Sequence, residues 1–145
     1  MTKLTIPIEP KPQSRPRFSK WGTYEDPKMK AWREKCSNLL AEELLLYPVD
    51  DKKAYKMDIV FYIEPPKYIA KVKKNQPLLE NETMPVSKKP DTDNYIKALL
   101  DSWSGFIFKD DGQVSDISAR KRYSYNPRIE VEIEEMGQKN DNNAH

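Results

Sequence analysis

Alternation of hydrophobic and polar residues predicts the β-strands of this chain. Ile129, Val131 and Ile133 alternate with glutamates, so we expect a strand with one buried face and one acidic face. Other segments are predicted as strands from short alternating runs or from their β-branched and aromatic content. The predicted strands are Leu4 to Ile8, Ala54 to Ile63, Phe106 to Phe108, Val114 to Tyr123 and Ile129 to Ile133.

Apolar residues at helical spacing predict two long helices. The first opens at Asp26, which is a favourable N-cap, with Pro27 as its first helical residue, and it ends before Pro48. The second covers Tyr95 to Trp103, and Gly105 is placed to end it as a C-cap. Both helices carry an apolar stripe, which is the pattern of a helix that packs on a core.

The order of these elements predicts an α+β fold, a single domain in which two helices pack on one mixed α/β-type sheet. We assign residues 1–136 to this domain and expect residues 137–145 to form a disordered polar tail. The segment from Lys67 to Lys74 fits either one or two helical turns or a mobile basic flap. Residues 77–85 are predicted to be loop.

Four acids and a lysine lie next to predicted turns. Asp91 and Asp93 are two residues apart, so their side chains converge only if Asp91 is still extended where the helix begins. Lys97 follows Asp93 by one helical turn. A tight hairpin turn at Asp111 and Gly112 is expected to place Asp110 or Asp111 at a strand end. Carboxylates and a lysine, brought together by these turns, can hold Mg²⁺ against a phosphodiester.

Each of these residues also has an ordinary structural role. Asp91 and Asp93 could be helix caps, and Asp93 with Lys97 could form a surface pair worth roughly 0.3 to 0.5 kcal/mol. Asp111 with the following glycine could be no more than a turn. A cap needs one acid, however, and a two-residue turn needs no second acid before it. The joint occurrence therefore keeps a metal site open beside these ordinary roles.

The scarcity of histidine and cysteine excludes several kinds of chemistry. The only histidine is His145 and the only cysteine is Cys36, which falls on an apolar helical stripe. Serine and cysteine hydrolase mechanisms and cysteine- or histidine-based zinc sites lack their base or ligands here. Hydrolysis would have to use carboxylates, a lysine and a hard metal ion. We find no membrane-spanning run and expect a cytoplasmic protein.

Basic residues are unevenly distributed along the sequence, although the net charge is only +2. The first 35 residues hold nine Lys or Arg against four acids, and residues 67–90 hold six against two. This distribution suits carboxylates that work beside a polyanion, and a solvated surface of mixed charge is the alternative. The candidate contacts to a nucleic-acid backbone are Arg15, Arg17, Lys67, Lys71, Lys73 and Lys74.

Four motifs together resemble the RusA-type Holliday junction resolvases. They are Arg-Pro-Arg at Arg15 to Arg17, Tyr-x-x-Pro at Tyr24 to Pro27, Lys-Pro-Asp-Thr-Asp-Asn-x-x-Lys at Lys89 to Lys97, and Asp-Asp-x-Gln-Val at Asp110 to Val114. The resemblance extends from about Pro7 to Glu134. A phage or prophage origin fits this kinship. Residues 67–86 depart from it, because they look longer and more basic than the equivalent loop of the family.

The resemblance implies a Mg²⁺-dependent endodeoxyribonuclease in which Mn²⁺ may substitute. It implies a homodimer that binds four-way or otherwise branched DNA and nicks two strands symmetrically in recombination and repair. Asp91, Asp93 and Asp111 match the metal-binding acids of the family, Lys97 its essential lysine and Asp110 the first acid of the second pair. A non-catalytic phage or prophage DNA-binding accessory protein is the competing interpretation.

Overall fold

A computed structural model describes residues 2–14, 17–43 and 52–136 of the chain. The strands are β1 (Thr2–Ile6), β2 (Arg17–Ser19), β3 (Gly22–Tyr24), β4 (Ala54–Ile63), β5 (Val114–Tyr123) and β6 (Arg128–Met136). The helices are α1 (Pro27–Glu43), α2 (Lys67–Ala70), α3 (Gln76–Glu80) and α4 (Thr92–Trp103), with 3₁₀ turns at Lys73–Asn75 and Asp111–Gln113. The predicted tail, residues 137–145, lies outside the described residues.

A four-stranded mixed sheet in the order β1-β6-β4-β5 forms the centre of the fold. β4 and β5 are parallel, while β6 is antiparallel to both β1 and β4. Because parallel neighbours need a crossover, the chain between β4 and β5 carries α2, α3 and α4. The structure therefore confirms an α+β domain with one mixed sheet.

One face of the sheet and the apolar stripes of α1 and α4 form the main core. Alternate residues of β4 and β6 point into it, as the sequence pattern predicts for half-buried strands. Trp103 of α4 and Leu40 of α1 are fully buried against them. Burial of side chains of this size stabilises the fold by about 1.5 to 3 kcal/mol each. None of the described helices is long and apolar enough to cross a membrane.

The start of α1 is the predicted one. The Asp26 carboxylate accepts a hydrogen bond from the Lys28 amide at 3.0 Å, and the Asp26 carbonyl accepts one from the Met29 amide. Pro27 is the first helical residue, where its missing N–H costs no helical hydrogen bond. Cys36 is completely buried, as expected from its place on the stripe.

Three local predictions are wrong. Residues 106–108 form no strand: they belong to a turn after α4 in which Gly105 has a positive φ of 92°, and Phe108 makes an isolated bridge to Ser104. No hairpin forms at Asp111, because β5 pairs in parallel with β4 and a 3₁₀ turn precedes it. Part of 77–85 is helical, since Pro77 lies in the first turn of α3, where proline is tolerated.

Residues 67–86 are folded onto the domain, so of the two interpretations of Lys67 to Lys74 the helical one is confirmed. Leu79 and Ile69 pack with Tyr123 in a second small core. The Glu82 carboxylate pairs with the Arg128 guanidinium, which also lies over the Tyr62 ring at 3.9 Å. Hydrogen bonds from Arg128 lower the pKa of Glu82. This segment is therefore anchored at both its apolar and its charged residues.

Candidate active site

Asp91 and Asp93 lie at the N-terminal end of α4. Asp91 is the N-cap residue and has extended backbone angles, φ −68° and ψ 151°, as the convergence of the two side chains requires. Its carbonyl accepts a hydrogen bond from the Asn94 amide at 3.1 Å, but its carboxylate makes no capping hydrogen bond. Both Asp91 and Asp93 are exposed. The Asp91 carboxylate is thus not used for ordinary helix capping.

Lys97 lies one turn after Asp93 on the exposed side of α4. In the part of the chain that the structure describes, no ion pair joins Lys97 to Asp93. The alternative of an ordinary surface pair is therefore not realised, and the Lys97 ammonium group stays exposed to solvent beside the first acidic pair.

Asp110 is a structural cap. Its carboxylate accepts a hydrogen bond from the Gly112 amide at 2.8 Å, and the Gln113 side-chain oxygen accepts in return from the Asp110 amide at 3.3 Å. The Gln113 side chain also donates to the Lys53 carbonyl at 3.0 Å, which ties the turn to the start of β4. These bonds orient the chain as it enters β5.

Asp111 has a different electrostatic environment. A hydrogen bond shared with the Asp110 carboxyl raises the pKa of Asp111, and partial burial and the negative charges of Asp110 and Asp101 raise it further. A hydrogen bond from the Gly112 amide and, to a smaller extent, one with the Asp111 carboxyl lower the pKa of Asp110. Carboxylates that compete for one proton are also suitable oxygen donors for a hard cation. The donor chemistry at this turn fits Mg²⁺.

Asp101 lies in the last turn of α4 and was not among the predicted site residues. It occupies the same stripe as Asp93 and Lys97, so its spacing of four residues from Lys97 was a usable sequence signal. The structure places its charge close enough to Asp111 to affect the pKa of that group.

The two acidic pairs lie at opposite ends of α4. Eight residues separate Asp93 from Asp101, which is about 12 Å along the helix axis, and the chain stays at the Asp101 end beyond α4, because Phe108 pairs with Ser104 shortly before Asp111. At the other end, the Lys121 ammonium group contacts the Pro90 carbonyl, and Lys121 lies seven residues beyond Val114 on β5, or about 23 Å.

This separation is too large for one metal ion. Two oxygens bound to a single Mg²⁺ at about 2.1 Å are at most about 4 Å apart. Within residues 2–14, 17–43 and 52–136, no three Asp, Glu, His or Cys side chains form a group that could hold a metal ion. The convergence that we expected is therefore not found within a single chain. The roles of Asp91, Asp93, Asp111 and Lys97 remain predictions.

The candidate basic residues of the 67–86 segment are all exposed: Lys67, Lys71, Lys73 and Lys74. The segment adjoins the Asp91 end of α4, because the Lys88 ammonium group lies over the Tyr68 ring of α2 at 4.5 Å. Arg17 opens β2 and pairs in register with Tyr24 of β3, whereas Arg15 lies outside the described residues. The sequence did not predict this short hairpin, whose turn residue Trp21 is 85% exposed.

The fold and its acids define a single-domain α+β protein with one pair of acids at each end of a central helix. Residues 7–134 match the family described as Endodeoxyribonuclease RusA, and the chain belongs to that family. The matched range agrees with the one that the motifs indicated. The chain is also 33% identical over 142 residues to "Uncharacterized protein YqaN" of Bacillus subtilis (strain 168), covering 92% of this chain and 96% of that protein.

Proposed function

We propose that this protein is a Mg²⁺-dependent endonuclease that nicks four-way and related branched DNA in recombination and repair. Membership of an endodeoxyribonuclease family supports the reaction class. The observation that carries the proposal is the exposed carboxylate of Asp91, which makes no capping hydrogen bond, at one end of α4, together with the adjacent acids Asp110 and Asp111 at the other. Both sets consist of the oxygen donors that Mg²⁺ prefers.

The separation of the two acidic pairs determines how the two copies of the proposed homodimer would be arranged. In a two-fold dimer, Asp91 and Asp93 of one copy would meet Asp111 of the second copy, and symmetry would generate an identical second site. Neither copy alone would then hold the metal. Two equivalent sites also suit paired cuts, because a four-way junction can itself present two symmetry-related strands.

The residues have distinct proposed roles. Asp91, Asp93 and Asp111 would hold Mg²⁺, or Mn²⁺ in its place. The bound cation would polarise the scissile phosphate and favour the hydroxide form of water. Lys97 would neutralise the charge that develops on the phosphate or orient the attacking water.

Basic residues would hold the DNA through its backbone. Lys67, Lys71, Lys73 and Lys74 would contact phosphates near the Asp91 end, and Arg15 and Arg17 would contribute from the segment around β2. These contacts carry no base information. They would position the junction, while the paired acidic sites determine where the strands are cut. We further propose that the protein acts in the cytoplasm.

A junction-cleavage assay tests this function. The protein is incubated with an end-labelled synthetic four-way junction in Mg²⁺, in Mn²⁺ and in EDTA, with a linear duplex of the same sequence as control. We expect symmetric nicks in the junction with either metal ion and none in EDTA or in the duplex. Junction binding without nicking under every condition would instead support the non-catalytic accessory protein. Asp91→Asn and Asp93→Asn should bind the junction without cutting it.

A further inference from the structure

Lys121 of β5 is buried at a position where the neighbouring strand has apolar side chains. It is 8% exposed and lies opposite Phe61 in the strand register, in the row of β4 side chains that faces the core. A buried ammonium group is unfavourable unless its N–H groups find partners. Those partners are backbone carbonyls of one loop: the Lys121 Nζ donates to the Pro90 carbonyl at 2.8 Å and to the Lys88 carbonyl at 3.0 Å.

The loop that receives these bonds leads directly into Asp91. Its earlier part is held by the main chain of the same strand, because the Val86 amide donates to the Lys121 carbonyl and the Tyr123 amide to the Met84 carbonyl. Beyond Val86 the loop is held by the Lys121 side chain, which donates to the carbonyls of residues 88 and 90. Asp91 follows as the N-cap of α4, without a capping bond of its own. The loop before Asp91 is thus one support of its position, beside the hydrogen bond that the Asp91 carbonyl accepts from the Asn94 amide.

We propose that Lys121 is a positioning residue for the metal-binding carboxylate of Asp91. It contacts neither metal nor DNA; it fixes the carbonyls of Lys88 and Pro90 and hence the direction in which the Asp91 side chain leaves the chain. This inference rests on the proposed function, since it assumes that Asp91 binds the metal ion. A methionine of similar volume would fill the same space without desolvating a charge, so filling space does not explain the lysine.

Two variants and a control test this role. Lys121→Met keeps the volume and removes the donors, and Lys121→Arg keeps the charge but changes the geometry of donation. Arg120→Met is the matched control. Arg120 directly precedes Lys121 in β5, but it pairs with Asp58 at 3.1 Å and not with the loop. Mn²⁺ affinity is measured by electron paramagnetic resonance on the full chain without DNA. Amide hydrogen exchange is measured over residues 88–94.

We expect Lys121→Met to weaken Mn²⁺ binding by roughly 10-fold or more, as is typical when a support of a metal ligand is lost. Exchange at residues 88–94 should accelerate in the same variant. Lys121→Arg should be intermediate and Arg120→Met unchanged in both measurements. A folded Lys121→Met with either wild-type affinity or wild-type exchange overturns the proposal. If Lys121→Met does not fold, wild-type affinity in Lys121→Arg overturns it.

The two proposals fail in different ways. If Asp91→Asn binds Mn²⁺ as tightly as the wild-type protein does, the proposed metal site is wrong, whatever Lys121 does. If Asp91→Asn loses Mn²⁺ binding but Lys121→Met does not loosen residues 88–94, the metal site stands and the role of Lys121 is wrong.

Discussion

At the scale of single residues, Asp110 and Asp111 show how adjacent acids acquire different tasks. The Asp110 carboxylate is committed to the Gly112 amide, so it orients the turn. Asp111 is held beside Asp110, whose hydrogen bond raises the pKa of Asp111, and the nearby negative charges of Asp110 and Asp101 raise it further. One acid thus stabilises the turn, whereas the other adds negative charge beside it.

Alanine substitutions at these two acids should therefore have opposite effects on stability. Asp110→Ala removes a cap and should lower the free energy of unfolding. Asp111→Ala relieves repulsion and should leave that free energy unchanged or raise it, although it should abolish nicking. Urea denaturation in EDTA measures both. An equal loss of stability in the two variants would show that Asp111 is also structural.

Substitution of Lys97 distinguishes a structural role of this residue from a catalytic one. A surface lysine with no more than local pairing would cost about 0.5 kcal/mol or less when replaced by alanine, with cleavage nearly unchanged. If it stabilises the transition state, Lys97→Ala should slow single-turnover cleavage by roughly 100-fold while junction affinity barely changes. Lys35→Ala, an exposed lysine of α1, is the control. Near-wild-type cleavage by Lys97→Ala would remove this residue from the mechanism.

At the scale of elements, the anchoring of residues 67–86 changes what their lysines can do. Leu79 in the second core and the Glu82–Arg128 pair hold the segment against the sheet. Fixed cations lose less conformational freedom when they bind a phosphate backbone than cations on a mobile flap would. The basic face is therefore a preformed surface beside the Asp91 end of α4.

Neutralising this face should change the salt dependence of DNA binding. Each of Lys67→Gln, Lys71→Gln, Lys73→Gln and Lys74→Gln that removes a duplex phosphate contact should reduce the log-log salt slope by about 0.9. Lys3→Gln, on the outer strand β1 beside Glu132, should leave the slope unchanged. Fluorescence anisotropy at several salt concentrations gives the slope. A constant slope across all four variants would assign these lysines to solvated surface.

The elements whose ends are marked by strong local sequence signals were predictable from the sequence. β4 and β5 have the predicted ends, and α1 begins at the Asp26 cap. The prediction failed where tertiary contacts decide the local structure. Residues 106–108 turn because two successive side chains enter the core, and α3 forms because Leu79 is buried. No local propensity could have revealed either contact.

The site was predictable in its parts but not in its assembly. The extended backbone at Asp91 and the position of Lys97 one turn along α4 follow from local rules. The strand expected at residues 106–108 and the hairpin expected at Asp111, which were to help bring the acids together, do not form. The turn at Gly105 instead keeps Asp111 at the far end of α4, beside Asp101.

At the scale of the whole molecule, a single chain keeps the two acidic sets apart, and in the proposed dimer they would be complementary halves of one site. This arrangement would make the second copy part of the catalytic site, and would couple cleavage to dimer formation. It also allows a genetic test of where the site lies, because substitutions on different copies combine differently in the two arrangements.

Heterodimers with one substitution on each copy distinguish a shared site from a site within one chain. If the site is shared, Asp91→Asn paired with Asp111→Asn has one site without any substitution and one with both. If the site lies within one chain, each of its two sites carries one substitution and both are inactive. Asp91→Asn paired with Asp93→Asn leaves no complete site in either arrangement, so it is the matched control.

The most direct measurement is cleavage of a supercoiled cruciform plasmid by differently tagged, co-purified heterodimers. We predict that Asp91→Asn paired with Asp111→Asn converts the plasmid to nicked circles without linear product, while both parent homodimers and the control heterodimer are inactive. Wild type paired with the double variant Asp91→Asn, Asp111→Asn should also be inactive. Nicking by that last pair, with none by the first, would contradict a site shared between two copies.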